Sequence, residues 1–238
     1  MSDFPYGERV IWAVKIKGVF CLIYMKKTLY LSVGALLFLF AGCVSSSIKI
    51  IDKKTPTKPY SKVLVVYVNE GCDFTLFDSL TYNICLKSCF RNADSYETRV
   101  QVEGLLAGRL TTATEIVKAT DVLDIANNDY DYFRRMIDSL HIDALLMVGL
   151  SRHTRVDELR YTMPTYLGNK VMTPGGNYKA RTYNSAYDCF LMSTSSIYFP
   201  VWHAAIDIKV NADSKYMLNG RMTRDIARSL KSAGYWMH

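Results

Sequence analysis

The chain has 238 residues, half of them hydrophobic, and a formal net charge of +7. That length and apolar content suit one domain with a real core. From Cys43 onward 24 Lys and Arg stand against 20 Asp and Glu; the charges are scattered without a basic block, which argues against nucleic acid as a partner.

In chain order, residues 1–24 come first, largely apolar from Ile11 with Lys15 and Lys17 inside. Then Met25-Lys26-Lys27-Thr28 leads into an apolar run, Leu29 to Phe40, and Ala41-Gly42-Cys43. Two lysines, about a dozen apolar residues and a small-residue cut site have the layout of a secretory signal. With Cys directly after Ala41-Gly42, the stretch resembles the lipobox of bacterial lipoproteins, although Phe40 stands where that family usually carries Leu. The resemblance implies cleavage between Gly42 and Cys43, a diacylglyceryl group on the Cys43 sulfur and acylation of the new amine. The alternative is an uncleaved anchor, for which the run is short of the ~17–25 residues of a spanning helix. A signal normally opens a chain, so translation is expected to start at Met25, with 1–24 a start-site extension; an unusually long signal front is the other reading. The expected organisation is a signal at 25–42, a lipidated tether at 43–60 and an α/β domain at 61–238.

The tether reading rests on Ser45-Ser46-Ser47 and on Lys53 to Pro59, which bury little and suit an extended spacer. Lys62 to Val68 is a β-branched apolar run, expected as a strand buried on both faces. Asp73 or Thr75 is expected to cap a helix over Phe74–Phe90 that turns Phe77, Leu80 and Ile84 inward. Alternation of Tyr96, Thr98, Val100 and Val102 predicts a second strand, and 103–128 irregular structure with some helix. A helix Tyr130–Leu140 follows, then a turn at His141-Ile142-Asp143 and a buried strand Ala144–Leu150. An insertion at about 152–183, with Gly168 and Pro174-Gly175-Gly176, predicts a long loop or loose hairpin. Ala186–Ser193 and Tyr198–Val210 are strands; in the second, Trp202, Ala204, Ile206 and Ile208 alternate with His203, Ala205, Asp207 and Lys209, so one face is covered. The last helix, Arg221–Ala233, is amphipathic, with Gly234 placed to cap it. The fold class is α/β (α+β), one mixed-sheet domain with helices packed on it.

This order of elements, with Ile142-Asp143-Ala144-Leu145-Leu146-Met147-Val148-Gly149 after a helix, Pro200-Val201-Trp202-His203-Ala204-Ala205-Ile206-Asp207-Ile208 as a late strand and a last helix ending Leu230-Lys231-Ser232-Ala233-Gly234-Tyr235, resembles the small α/β domain shared by the TolB N-terminal domain, the penicillin-binding-protein activator lipoproteins and the curli-secretion lipoprotein. The likeness covers roughly Lys62–Tyr235; the insertion at 152–183 departs from the compact members. It implies a domain that binds envelope proteins and does no chemistry.

The residues carry few catalytic patterns. No nucleophile elbow, phosphate loop, zinc-protease motif or dinucleotide fingerprint is present. His153 with Asp157 or Glu158, after a buried strand, is a candidate acid–base pair, beside Ser151 or Ser193 as nucleophile. Asp121, Asp124, Asp129 and Asp131 lack calcium-loop spacing and read as caps and surface. There is no CxxC pair, and His141, His153, His203 and His238 show no metal-ligand spacing. Cys72, Cys85, Cys89 and Cys189 follow the export signal; Cys85 or Cys89 could pair with Cys72 or Cys189, or both could be small buried residues. Tyr161, Tyr166, Tyr178 and Tyr183 form the candidate contact surface.

The reading is therefore a lipoprotein, not an enzyme, without cofactor beyond the lipid on Cys43. It is expected to be anchored in the outer membrane facing the periplasm, with the inner membrane or the cell surface as alternatives, and to bind another envelope protein. Two rivals stand beside it. One is a lipid-anchored hydrolase using His153 and a nearby carboxylate. The other is an oligomeric secretion or assembly subunit with 152–183 as membrane-inserted hairpins, against which Pro164, Pro174 and the lack of clean alternation count.

Overall fold

The computed structural model describes residues 44–55, 59–110, 114–168, 170–195, 199–210 and 215–236. The start-site extension, the signal and the cleavage site at Gly42 and Cys43 lie outside the described residues. Among the described residues, six strands form one mixed sheet with helices packed on it, the α/β class expected.

Lys62–Val68 forms β2, central in the sheet, with Val63 to Val68 fully buried. It runs parallel to β3 (Glu115–Lys118) on one side and to the first half of β4 (Ala144–Thr162) on the other. β7 (Gly176–Ser193), β8 (Pro200–Val210) and β1 (Val44–Lys53) complete the antiparallel half, giving the order β1-β8-β7-β4-β2-β3. A separate two-stranded ribbon pairs β5 (Thr165–Leu167) with β6 (Lys170–Thr173).

Helices cover both faces of the parallel half. One face packs Val63, Val65, Leu146, Val148, Trp202 and Ile206 under α2 (Tyr96–Leu110) and α5 (Lys215–Ser232). The other packs Leu64, Val66, Leu145 and Met147 under α1 (residues 79–91) and α4 (Tyr130–Ser139). This explains the continuous apolar run of β2. β8 keeps strict alternation because its second face has no helix: Trp202, Ala204, Ile206 and Ile208 are buried while Asp207 and Lys209 are exposed.

Helix α1 is composite: Ser79–Thr81, a π-helical turn Tyr82–Lys87, then Ser88–Arg91. Its cap is Asp78, whose Oδ1 accepts from the Thr81 amide at 2.8 Å. Asp73 instead accepts from the Thr75 amide in the preceding loop. The face turned inward is Tyr82, Cys85, Leu86 and Cys89, and Leu80 and Ile84 face out. The wide turn shifts the phase of the apolar face, and a Cys72–Cys85 disulfide pins Cys85 toward the sheet. Cys89 and Cys189 are buried and reduced, and burial pushes the Cys189 thiol up.

Three other expectations are corrected. Tyr96–Val102 is the first half of α2, not a strand. The stretch after it is ordered as the rest of α2, β3 and the short α3 (Ala119–Val122). The stretch taken for a spacer is extended, but Val44–Lys53 pairs along β8 as the sheet edge. Its far end is stapled by Tyr235, whose hydroxyl donates to the carbonyls of Lys54 and Val201.

The chain ends much as the sequence indicates. Gly234 adopts φ 81°, and the amides of Gly234 and Tyr235 donate to the carbonyls of Lys231 and Leu230 at 3.1 and 3.2 Å. That is a Schellman cap, for which the left-handed backbone favours glycine.

Candidate functional site

β4 and β7 are 19 and 18 residues long, far longer than the core requires. They pair residue by residue from Ala144↔Ser193 to Thr162↔Gly176, broken only by a bulge between Leu150 and Arg152. At that bulge the hairpin leaves the core. Ala144–Val148 is fully buried, and every residue from Ser151 to Thr162 is exposed. β2 accompanies β4 as far as Gly149, and β8 accompanies β7 as far as Tyr183. Beyond those rungs, among the described residues, the hairpin is a free two-stranded arm. The insertion is therefore a regular arm, more ordered than the loose element expected.

The shaft is charged. Arg155 Nη2 lies 2.7 Å from Asp157 Oδ2, Arg181 Nε 3.3 Å from Asp157 Oδ1, and Arg160 Nη2 2.9 Å from Glu158 Oε2. The Arg155 hydrogen bond holds the Asp157 carboxyl below its usual range. Being exposed, such pairs add little stability; they keep the shaft soluble and fix side chains along it.

The tip is apolar. Leu159 is 69% exposed, Met163 81% and Leu167 71%, and Val171 and Met172 are also exposed. The β5–β6 ribbon presents most of these. Pro164 and Pro174 sit outside the strands, in the connections on either side of the ribbon. They do not interrupt the pairing of β4 with β7.

The four candidate tyrosines divide. Tyr161, Tyr166 and Tyr178 are exposed on the arm. Tyr183 is half-buried at its base, its ring stacked on His153 with centroids 5.7 Å apart. Sequence reasoning missed the aliphatic half of the tip. The available signal was Leu159, Tyr161 and Met163 recurring every second residue after a shaft of oppositely charged i,i+2 pairs.

The acid–base candidates are not brought together. On a strand, positions four apart are about 13 Å apart. His153 Nδ1 is 2.7 Å from Ser185 Oγ, while Asp157 is engaged by Arg155 and Arg181 and Glu158 by Arg160. Ser193 belongs to the opposite end of β7, beside Ser195. The proposed hydrolase constellation is thus dispersed. Trp202 is core, as expected, and His203 stacks on Phe190 on the other face.

Three of the aspartates, Asp121, Asp124 and Asp129, are engaged within the fold. Asp129 caps α4 through the Tyr132 amide, Asp124 accepts from the Asn127 side chain, and Asp121 pairs with Lys118. Among the described residues no group of three or more His, Cys, Asp or Glu could hold a metal ion.

Two hollows flank the arm base. One, of about 300 Å³, lies at the carboxyl end of β2 beside the β4 bulge, lined by Tyr67, Asn69, Asp94, His153, Tyr187 and Asn219. Burial holds the Tyr67 and Tyr187 hydroxyls well above their usual range. The other, of about 480 Å³, is shallow and hydroxyl-rich on the uncovered sheet face, with Ser45, Ser47, Thr154, Asn184, Asp207 and Lys209.

The sequence matches no known protein-family profile and no curated protein. Solved structures that resemble it include the PelC dodecamer from Paraburkholderia phytofirmans, at 11% identity and TM-score 0.39 over 81% of this chain and 100% of that one. Another is the lipoprotein GNA1162 from Neisseria meningitidis, at 14% identity and TM-score 0.31 over 72% of this chain and 99% of that one. The superpositions are loose, and nothing of either protein's assembly transfers to this chain through them. Among the described residues no helix is long and apolar enough to cross a membrane.

Proposed function

We propose that the chain is a lipid-anchored envelope protein that works by binding, with the arm as its contact element. The observation that carries this reading is the arm itself: a regular hairpin that leaves the core at a bulge and presents Tyr161, Tyr166 and Tyr178 among exposed aliphatic side chains. Exposed apolar residues gathered at one place are costly unless something covers them. The lipobox-like Ala41-Gly42-Cys43 supplies the anchor in this reading, with the lipid on the Cys43 sulfur. The Cys72–Cys85 disulfide suits the oxidising space beyond the inner membrane. The outer membrane, periplasmic side, is the proposed address, and another envelope protein the proposed partner.

The test has two parts. Intact mass and acyl labelling of the chain made in a bacterial cell, beside Cys43→Ala, should give a lipid-modified species beginning at Cys43 that the variant lacks. Photo-crosslinkers at Tyr161 and Tyr178, on the paired part of the arm, should then capture discrete envelope proteins. An unmodified chain retaining residues 25–42 would sink the lipoprotein reading. Crosslinkers that capture nothing while Cys43 is acylated would sink the binding role of the arm.

A second reading, an oligomeric secretion or assembly subunit, is favoured by one feature. β1 is a ten-residue sheet edge with Ile48, Ile50 and Ile51 exposed, a surface on which another strand could pair. Native mass of the lipidated protein in detergent separates it from the first reading.

A further inference from the structure

The strand directions fix which end of the sheet Val44 occupies relative to the arm. β4 runs outward into the arm, β7 returns, β8 runs outward again and β1 returns. β1 therefore begins at the arm end of the sheet. The register states it rung by rung: Val44 lies across from Val210, Val210 from Tyr183, and Tyr183 from Arg155. Cys43 is bonded to Val44, and consecutive Cα atoms are ~3.8 Å apart. The first ten residues after Cys43, expected as part of a spacer, form β1.

From that rung the arm continues outward for seven more residue pairs, from Arg155↔Tyr183 to Thr162↔Gly176. At ~3.4 Å per residue this is about 24 Å, before the β5–β6 ribbon. The arm thus starts at the rung of Val44 and ends in Met163, Tyr166, Leu167 and Met172, all exposed.

We infer that the tip is a second attachment to the same bilayer, its occupant being lipid. Tyrosine belongs at the headgroup level, where its ring is buried and its hydroxyl wet. Lys170 at the tip and Lys179 along the shaft are exposed cations with aliphatic stems suited to that zone, and they favour an anionic lipid surface. The arm lies along the surface and does not span it. Its outer edges are unpaired beyond Gly149 and Tyr183 among the described residues, and unpaired backbone groups cannot sit in hydrocarbon. Only side chains of the tip enter the boundary between headgroups and acyl chains. The two attachments, at Cys43 and at the tip, would hold the domain in one orientation. The inference rests on the anchored reading for the position of the bilayer, and it holds equally for an acylated Cys43 and for an uncleaved 25–42 segment.

The test uses the full chain purified from bacterial membranes and reconstituted in phosphatidylethanolamine–phosphatidylglycerol vesicles. Leu167→Trp adds a fluorophore at the tip; Leu80→Trp, exposed on α1, is the control. With phospholipid brominated near the glycerol end of its chains, the added emission of Leu167→Trp should be quenched and blue-shifted, and that of Leu80→Trp unchanged. Equal emission of Leu167→Trp in brominated and plain vesicles, with quenching by aqueous iodide, would overturn the inference. So would emission shielded from both quenchers, which would place a protein or a second copy on the tip. Acyl labelling of Cys43 in the same sample keeps the two proposals apart, since a quenched tip without acyl label refutes the lipoprotein and leaves the tip contact standing.

Discussion

Glu103 is buried in α2, and its carboxylate joins two elements. Oε1 accepts from the Tyr67 amide in β2 at 3.1 Å, and Oε2 accepts from the amide and the hydroxyl of Thr120 at 2.9 Å each. Burial raises its pKa from 4.5 to about 7 against the pull of these hydrogen bonds. The folded protein therefore keeps a proton at pH 5–7 that the unfolded chain has released. Its contribution to stability is whole below about 4.5 and is lost as the pH rises through 7, about 3 kcal/mol over that window. The urea midpoint should fall between pH 5 and pH 8, and Glu103→Gln should flatten that fall. The variant starts lower by about 1–3 kcal/mol, because one amide oxygen cannot serve both sides. An unchanged pH slope in the variant would remove Glu103 as its source. The same residue shows why α2 escaped the sequence. Its inward positions are Arg99, Val102, Glu103, Leu106 and Leu110, at helical spacing, but two of the five are charged. Arg99 is accommodated by packing on Phe90 and donating to the Cys89 carbonyl. With those two polar, the apolar residues left in view alternated by chance like a strand.

At the scale of elements, the arm depends on how its tip is closed. A Cβ on Gly175 would come within 2.6 Å of Pro164 Cδ and 2.8 Å of the Thr162 carbonyl oxygen, in the connection that returns the ribbon to β7. Gly175→Ala should therefore loosen the tip while leaving the core alone. Limited proteolysis should cut the variant faster between β5 and β7, and its urea midpoint should match the parent's. A lowered midpoint with an intact tip would show that the connection supports the core instead. Elements buried on one or both faces or closed by glycine were legible: β2 by its unbroken apolar run, the first half of β4 likewise, β8 by alternation, and the end of α5 by Gly234. β1 and the arm were not, for one physical reason. Each is held by backbone pairing and buries few side chains, so composition sees only Ser45-Ser46-Ser47, lysines and scattered Thr and Tyr. The sequence located the inserted segment but not its regularity, and it named the tyrosines without the aliphatic residues beside them.

For the whole molecule, the arm and the layered core are separable. Both hydrophobic clusters close within the sheet as far as Leu150 and Tyr183 and the helices on it, and no buried residue of either comes from 156–180. Replacing residues 158–180 by Asn-Gly would join Asp157 to Arg181, which already face each other, through a turn suited to a two-residue hairpin. The shortened chain should unfold at the parent's urea midpoint and carry the same label on Cys43. It should lose contacts made through Tyr161, Tyr166 and Tyr178, and the domain should tumble more freely on vesicles, read as lower fluorescence anisotropy. Unfolding on truncation would mean that the arm belongs to the folding unit. An unaltered anisotropy with an intact fold would mean that the acyl chains alone set the orientation, leaving the exposed tip for protein contacts. The long hairpin and the strand that begins beside it would then share one end of the sheet without sharing a task.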